Sequence, residues 1–506
     1  MPPSRTHPPT ARHRIAAAFL LVTVLLAPLP VPAAAASAPA GGTAEPGLAR
    51  IDRYVRNHMA ATGTPGLAYA IVDAGQEPHV AALGHDGNGA PVTADTPFLW
   101  GSVSKPVTAT AVLALAEQGR LDLDQPVRDH LPDLDLGSGG DPVTVRDLLR
   151  HTSGLPASTT GAIGDVYGPR SADATPRLAR LAEVTPVAPP GERHVYTSAN
   201  YLILGALVEE VTGEPFAVHL RRAVLDPAGM TGALASAAEA RDGGLPPGHR
   251  SFFGVTRAVP ARVDDAGVAY GYLGGTVRDL AAFASVYLAD GEGRNGRVLT
   301  PSSVRAATGD GVPIPGSANR YGLGWRIGVV GGTDVPMVFH GGSTPGHAAM
   351  LVLTPGSHRA VVVLQNRYQM MDDAQIQDVA FGIARLLSGV QPDAPSVPRG
   401  HLLVLLATAT GAVTATAAVA WSGVRLLRRH RAMTRRRAAA TAAAHLLAGS
   451  ALAVAIPVYL SEAGGVRAAL LWLPDVTALL LAAAACGAGL VLLGTIRAWR
   501  AWRAVR

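Results

Sequence analysis

Apolar positions along this chain follow three rhythms. Leu48, Ile51, Val55 and Met59 recur at helical spacing and predict an amphipathic helix that stops near Gly63 and Pro65. Leu67 to Val72 and His79 to Leu83, joined through Gln76-Glu77-Pro78, read as two short strands. Val107 to Leu115 is nearly all apolar or small, the pattern of a helix buried on every side, and Leu202, Leu204, Leu207 and Val208 continue a second such helix to Gly213. Val143 onward reads as a short helix closed by Gly154 and Pro156, with His151 at its polar end as a packing corner. Ala348 to Leu353 and Arg359 to Leu364, separated by a Pro355-Gly356 turn, predict a hairpin, and Asp373 to Leu387 an amphipathic helix. Helices and strands interleaved in this way indicate an α+β or mixed α/β fold.

The third rhythm is the unbroken apolar run. Leu402 to Trp421, Ala438 to Leu460 and about Val476 to Ile496 are each long enough to span a membrane. Ile15 to Leu26 is shorter. It follows Arg12-His13-Arg14 and precedes Pro28, Pro30 and Pro32 and the small-x-small sites Ala34 to Ala36 and Ala36 to Ala38, the layout of an export signal. The chain thus divides into a signal peptide (1–36), a flexible leader (37–46), a main domain (47–392), a proline-rich linker (393–400) and a membrane domain (401–506).

Charge changes this picture in one respect. The net +6 belongs to the ends, since 1–36 carry three arginines and no acid, and 401–506 carry 12 arginines against Glu462 and Asp475. The middle is mildly acidic, which removes the electrostatic case for nucleic acid as a partner. Arginines from Arg425 to Arg437, and again from Arg497 to Arg506, put the first loop and the tail in the cytoplasm and the main domain outside. Asp475, beside Pro474, is read at the membrane surface. Three spans exceed what tethering needs, and oligomerisation or a membrane partner would be one use for the excess. Cys486 is the single cysteine, so no intrachain disulfide forms.

Candidate chemistry begins at Lys105, the only lysine among 43 strong cations. Unlike arginine, a lysine can be tuned by burial to lose its proton. Ser102 stands three residues before it, and Pro106 suits a first helical turn, so a helix starting here presents hydroxyl and amine on one face. Tyr196 lies on a loop before a core helix, either facing a cleft or lying as a lid on the core with Ser198 as helix cap. His340, Gly341, Gly342 and Ser343 precede the hairpin, where glycines admit a substrate to backbone N–H groups, although His340 could equally be an ordinary hairpin histidine. Gly291-x-Gly293-x-x-Gly296 follows a helical stretch rather than a strand and reads as a hairpin loop, not a dinucleotide site. No ligand-spaced cysteines or histidines and no Gly-x-Ser-x-Gly elbow occur, which disfavours zinc and an α/β-hydrolase.

Taken in order, Ser102-x-x-Lys105, Tyr196-x-Ser198 and His340-x-Gly342 resemble the serine β-lactamase and penicillin-binding-protein superfamily. The similarity is to its class C β-lactamase-like branch with D,D-carboxypeptidases, D-aminopeptidases and esterases, and runs over roughly 47–390. Leu148 to Pro156, Tyr201 to Gly205 and Tyr321 to Trp325 are similar to that branch as well. The resemblance implies an antiparallel sheet flanked by helices plus an all-helical domain, followed here by the three C-terminal spans. It implies that Ser102 is acylated, that Lys105 assists proton removal and that Tyr196 shuttles the proton. Backbone N–H groups of Ser102 and Ser343 would form the oxyanion hole, with Ser198, His340 and Gly342 at the substrate and no metal or cofactor. Two departures stand out: the family's Tyr-x-Asn is Tyr196-Thr197-Ser198, and the usual Lys-Thr-Gly is His340-Gly341-Gly342, a conditional cation for a permanent one. The implied substrates are small peptides, esters or β-lactams. The rival expectation is a sensor, acylated by cell-wall peptides or β-lactams, that reports through its membrane helices.

Overall fold

Period-two alternation builds the centre of the molecule. In the computed structural model, which describes residues 47–137, 142–428, 434–462 and 464–503, eight strands pair antiparallel throughout. They are β1 (Gly66–Asp73), β2 (His79–Gly84), β3 (Val312–Pro313), β4 (Arg320–Tyr321), β5 (Arg326–Val329), β6 (Pro336–Thr344), β7 (His347–Thr354) and β8 (Arg359–Gln365). Their order is β2-β1-β8-β7-β6-β5-β4-β3, with Leu67 opposite Gln365 and Ser343 opposite Ala348. The signal and leader expected over 1–46 lie outside the described residues, as do 429–433 of the basic loop and 504–506 of the tail.

Alternate side chains leave the sheet in opposite directions. Leu67, Tyr69, Ile71, Val361 and Val363 pack against Ile51 and Val55 of α1 (Gly47–Thr62) and Val379 and Ile383 of the amphipathic helix Asp373–Leu387. Ala68, Ala70, Leu351, Val362 and Leu364 face the larger core. There lie α2 (Ser104–Glu117), α3 (Ala199–Thr212) and α4 (Val277–Leu288), followed in the chain by α5 (Asp373–Leu387) on the opposite face. The fold is therefore mixed α/β, a helix-flanked antiparallel sheet with a helical part on one side. Helix α2 is buried without interruption from Ser104 to Leu115, which is why it shows no apolar stripe.

Two boundaries differ from the sequence reading. Ser102 sits in a 3₁₀ turn, Gly101–Val103, and the α-helix starts only at Ser104. The short helix Val145–Arg150 ends on His151 itself, in the left-handed conformation at φ 58°, before Gly154 is reached. Its start carries a capping box between Thr144 and Asp147. The glycine-rich 291–296 segment forms a two-stranded hairpin, as its position after a helix suggests.

Beyond the linker run α6 (Gly400–Leu427), α7 (Arg435–Glu462), the short α8 (Gly465–Trp472) and α9 (Pro474–Arg503). Helices α6, α7 and α9 are long and apolar enough to cross a membrane. Gly449 and Gly487 let α7 and α9 approach backbone to backbone, since a Cβ on Gly487 would meet Gly449 O and Ala453 N at 2.8 Å. Helix α8 has no counterpart in the sequence reading.

His347, at the start of β7, is fully buried with no partner at either ring nitrogen, edge-on to Phe98. Burial, with His249 adding to it, holds its pKa down at about 3. In the unfolded chain it takes a proton near pH 6.5, so its penalty is absent above that pH and grows as pH falls towards 3. Replacing His347 with Leu is expected to spare about 2 kcal/mol of the stability lost between pH 7.5 and pH 5. Melting curves of the detergent-solubilised chain at the two pH values check this, and equal losses in both proteins would refute it.

Candidate active site

The turn that carries Ser102 is shaped by what presses on it. Phe98–Leu99 pairs with Gly274–Gly275, and the buried Trp100 donates through its indole nitrogen to Gly275 O at 3.2 Å. Ser104 Oγ donates to Gly101 O at 2.7 Å and accepts from Leu273 N at 3.2 Å, locking the turn to the same segment. Gly101 has φ 55°, and a Cβ there would fall on Ser343 N. A Cβ on Gly342 would likewise run into Trp100 O, Ser102 N and, at 2.7 Å, Val103 N. Two glycines far apart in sequence thus let β6 lie backbone against backbone on the turn. This brings together Ser102, Gly342 and Ser343.

Lys105 is fully buried, and its amine reaches Tyr270 O at 2.7 Å, Ser102 Oγ at 2.9 Å and Ser198 Oγ at 3.2 Å. The carbonyl can only accept, whereas either hydroxyl can donate. A neutral amine can therefore donate to Tyr270 O and Ser198 Oγ while accepting the proton of Ser102 Oγ, and a protonated one can donate to all three. Burial lowers the Lys105 pKa from its ordinary 10.5, Tyr196 opposes that shift, and Arg326 adds to it.

Ser198 occupies the N-cap position of α3 but makes no side-chain cap bond, because its hydroxyl serves Lys105 instead. Its N–H is held by Thr160 Oγ1 at 2.9 Å. Tyr196 is half-buried with its ring centroid 4.9 Å from Lys105 Nζ, so the cleft-facing alternative describes it better than a core lid. His151 backs it at 4.3 Å between ring centroids. Its Nδ1 faces the Asn200 side-chain amide at 3.0 Å and Thr197 N, while Ser153 Oγ donates to Asn200 Oδ1 at 2.7 Å. Burial and nearby Lys105 push His151 well below the ordinary histidine range, so it acts as neutral packing behind Tyr196.

His340 is buried, with Nδ1 at 2.7 Å from Gly341 O and Nε2 at 3.0 Å from Tyr321 Oη. The carbonyl fixes the proton on Nδ1, so Tyr321 donates to Nε2. Burial, followed by Arg326 and Lys105, holds His340 neutral, and neither His340 nor Gly342 lines the cleft. A fixed cation nearby is Arg326, whose guanidinium carbon stands 5.6 Å from the Tyr196 ring. The sequence reading singles out neither Arg326 nor the Tyr270 carbonyl. Arg326 directly follows the Tyr321 to Trp325 segment and was within reach, whereas a backbone acceptor leaves no side-chain signal.

A cleft of about 460 Å³ opens over these groups, lined by Ser102, Tyr196, Ser198, Ser343, Tyr272 and Trp472 among others. A larger cavity of about 850 Å³ beside Leu131, Leu178 and Glu209 contains none of the site residues, so size alone is no guide to the chemistry. Among the described residues, no group of three His, Cys, Asp or Glu side chains is arranged to hold a metal ion.

Comparison with known proteins identifies the family of the chain. Residues 51–384 match the family model described as Beta-lactamase. The chain is 32% identical over 315 residues to penicillin-binding protein 4 of Amycolatopsis lactamdurans, covering 60% of this chain and 81% of that one. It is 39% identical over 154 residues to esterase EstB of Burkholderia gladioli, covering 28% of this chain and 39% of the esterase. The solved octameric penicillin-binding protein homologue from Pyrococcus abyssi superposes with a TM-score of 0.60 at 26% identity, over 71% of this chain and 81% of that chain.

Substituting Gly342 with Ala tests the backbone contact. The added methyl must push β6 away from Ser102 N, so acylation of Ser102 by a fluorophosphonate is expected to slow about a hundredfold. Circular dichroism should stay unchanged, and wild-type labelling rates in the variant would show that the contact is dispensable.

Proposed function

Because the chain belongs to the beta-lactamase family, we propose that it is a membrane-tethered, extracytoplasmic serine hydrolase that opens amide or ester bonds through an acyl-enzyme. The observation that carries this reading is the buried Lys105 amine at 2.9 Å from Ser102 Oγ, held from its other sides by Tyr270 O and Ser198 Oγ. Ser102 Oγ attacks the substrate carbonyl as its proton passes to Lys105. The oxyanion forms against the backbone N–H groups of Ser102 and Ser343, which need not reorganise as charge develops. Tyr196, next to Lys105, relays the proton to the leaving group and then draws one from the water that releases the acyl chain. Ser198 holds the amine from the far side. His340 acts through Tyr321 and the backbone of β6 rather than as a cation.

Peptides, esters and β-lactams of small size fit the cleft, which falls in the ordinary range for small-molecule sites. Three helices of spanning length support tethering. An odd number of spans among the described residues, with arginines in the first loop and the tail, supports an outward catalytic domain.

Intact mass of the detergent-solubilised chain after a penicillin or a fluorophosphonate is expected to show one covalent adduct, absent from Ser102→Ala. Lys105→Arg should acylate about a thousandfold more slowly, because arginine cannot give up its proton. In the wild type the acylation rate should rise with pH through the lowered Lys105 pKa and level off above it, since only the neutral amine accepts a proton. A pH-independent rate would remove Lys105 as the base. An acyl adduct that persists for hours instead of decaying would favour the acylated sensor.

A further inference from the structure

One wall of the cleft comes from outside the family-matched residues 51–384. Ala468 and Trp472, both on α8 between the second and third long helices, line it together with Ser102, Tyr196, Tyr272 and Tyr368.

Helix α8 is held there by directed bonds. The Trp472 indole donates to Asp165 Oδ2 at 2.9 Å, and its ring meets Tyr368 edge-on at 5.9 Å between centroids. Arg467 donates to the carbonyl oxygens of Asp165 and Gly164, and Arg250 to that of Leu471. Gly464 abuts Gly161 so closely that a Cβ on either would come within 2.6 Å of the other's Cα. Just beyond α8, the buried Asp475 accepts from Phe253 N at 2.8 Å and pairs with His401 Nε2, at the start of α6, at 3.0 Å. It stands in the first turn of α9, at the end of a long helix rather than in its middle.

The wall that α8 grips is continuous with the scaffold of Lys105. Asp165 adopts a left-handed backbone at φ 60°, uncommon away from glycine, so the surrounding bonds must hold it there. Its carboxylate also accepts from Tyr272 Oη, and its N–H donates to Tyr270 Oη at 3.2 Å. Tyr270 is the residue whose carbonyl holds the Lys105 amine. One short segment thus bonds to the amine's support on one side and to α8 on the other.

We propose that α8 is a built-in lid of the active site and that Trp472 is a specificity-determining residue, its indole limiting the cleft to compact acyl groups. The assignment rests on the hydrolase reading above. It makes the C-terminal helices part of the substrate site: α7 and α9 present α8 to the cleft.

The test uses the full chain in detergent with p-nitrophenyl acetate and p-nitrophenyl phenylacetate as substrates. Trp472→Ala is expected to raise the phenylacetate-to-acetate ratio of kcat/KM about tenfold, and Trp472→Phe to leave it within about threefold. Fluorophosphonate should still label Ser102 in both, which reports that the nucleophile is intact. Should Trp472→Ala not fold, Ala468→Phe, which narrows the same wall, is expected to lower the ratio about tenfold with labelling intact. An unchanged ratio alongside normal labelling would overturn the lid assignment and leave the hydrolase standing. A wild-type chain whose Ser102 takes no label would overturn the hydrolase reading and the lid with it.

Discussion

The fold is arranged around the cost of burying one amine. A lysine removed entirely from water loses several kcal/mol of hydration unless polar groups replace the solvent. Here the replacements come from three distant places: Ser102 on the turn before α2, Ser198 at the head of α3, and the carbonyl of Tyr270 before α4. Packing those three segments against one another is what the surrounding core does, and among the described residues it is done without a carboxylate bonded to the amine. An acid at hydrogen-bonding distance would have kept the amine charged. Two hydroxyls and a carbonyl leave it free to exchange a proton, which is what the role proposed for Lys105 requires.

A second constraint fixes where the backbone donors stand. Ser343 belongs to a sheet strand and Ser102 to a helical turn, and their amides can face one site only if the two backbones touch. Side chains would keep the strand and the turn several ångströms further apart. Gly101 and Gly342 remove that spacing, each where a Cβ would strike the other segment. Trp100, anchored to Gly275, and Ser104, bridging Gly101 and Leu273, hold the turn against the strand. The sheet is thus a rigid edge against which the Ser102 turn is set, which is why an eight-stranded antiparallel platform serves a candidate site made of so few atoms.

Legibility in the sequence follows from these physical roles. Lys105 stands out as the only lysine and Ser102 by its place three residues before it, whereas Tyr196 is marked by the family resemblance, since its loop position alone leaves a core lid open. The long helices stand out because an apolar run of about twenty residues matches the thickness of a bilayer. Ser198 is ambiguous in sequence: a serine before a helix is ordinarily a cap, and only its distance to Lys105 shows the hydroxyl committed elsewhere. His340 reads as a titrating donor because a histidine beside glycines carries no record of how deeply it will be buried or that Tyr321 will meet it. Helix α8 escapes notice on different grounds. Its apolar residues, Val466 to Trp472, sit between two much stronger apolar runs and read as a mere connection, although Gly464 and Pro474 mark its limits.

That short helix also gives a reason for the number of long ones. Eight residues are too few to hold a helix in place by their own hydrogen bonds, so the position of α8 is set by its ends and by what it touches. A single long helix would tether the domain. It would also carry the chain away from the cleft with no means of return. Bringing a segment back to Tyr368 and Asp165 requires one helix to return, α7, once α6 has departed from His401, and α9 then leaves from the far end of α8. Under the proposed tethering, two long helices, α6 and α7, are enough to bring a wall back to the cleft, and the third, α9, holds that wall from its far end. The bond from Asp475 to His401 closes this loop at its base, tying the start of the first long helix to the start of the last.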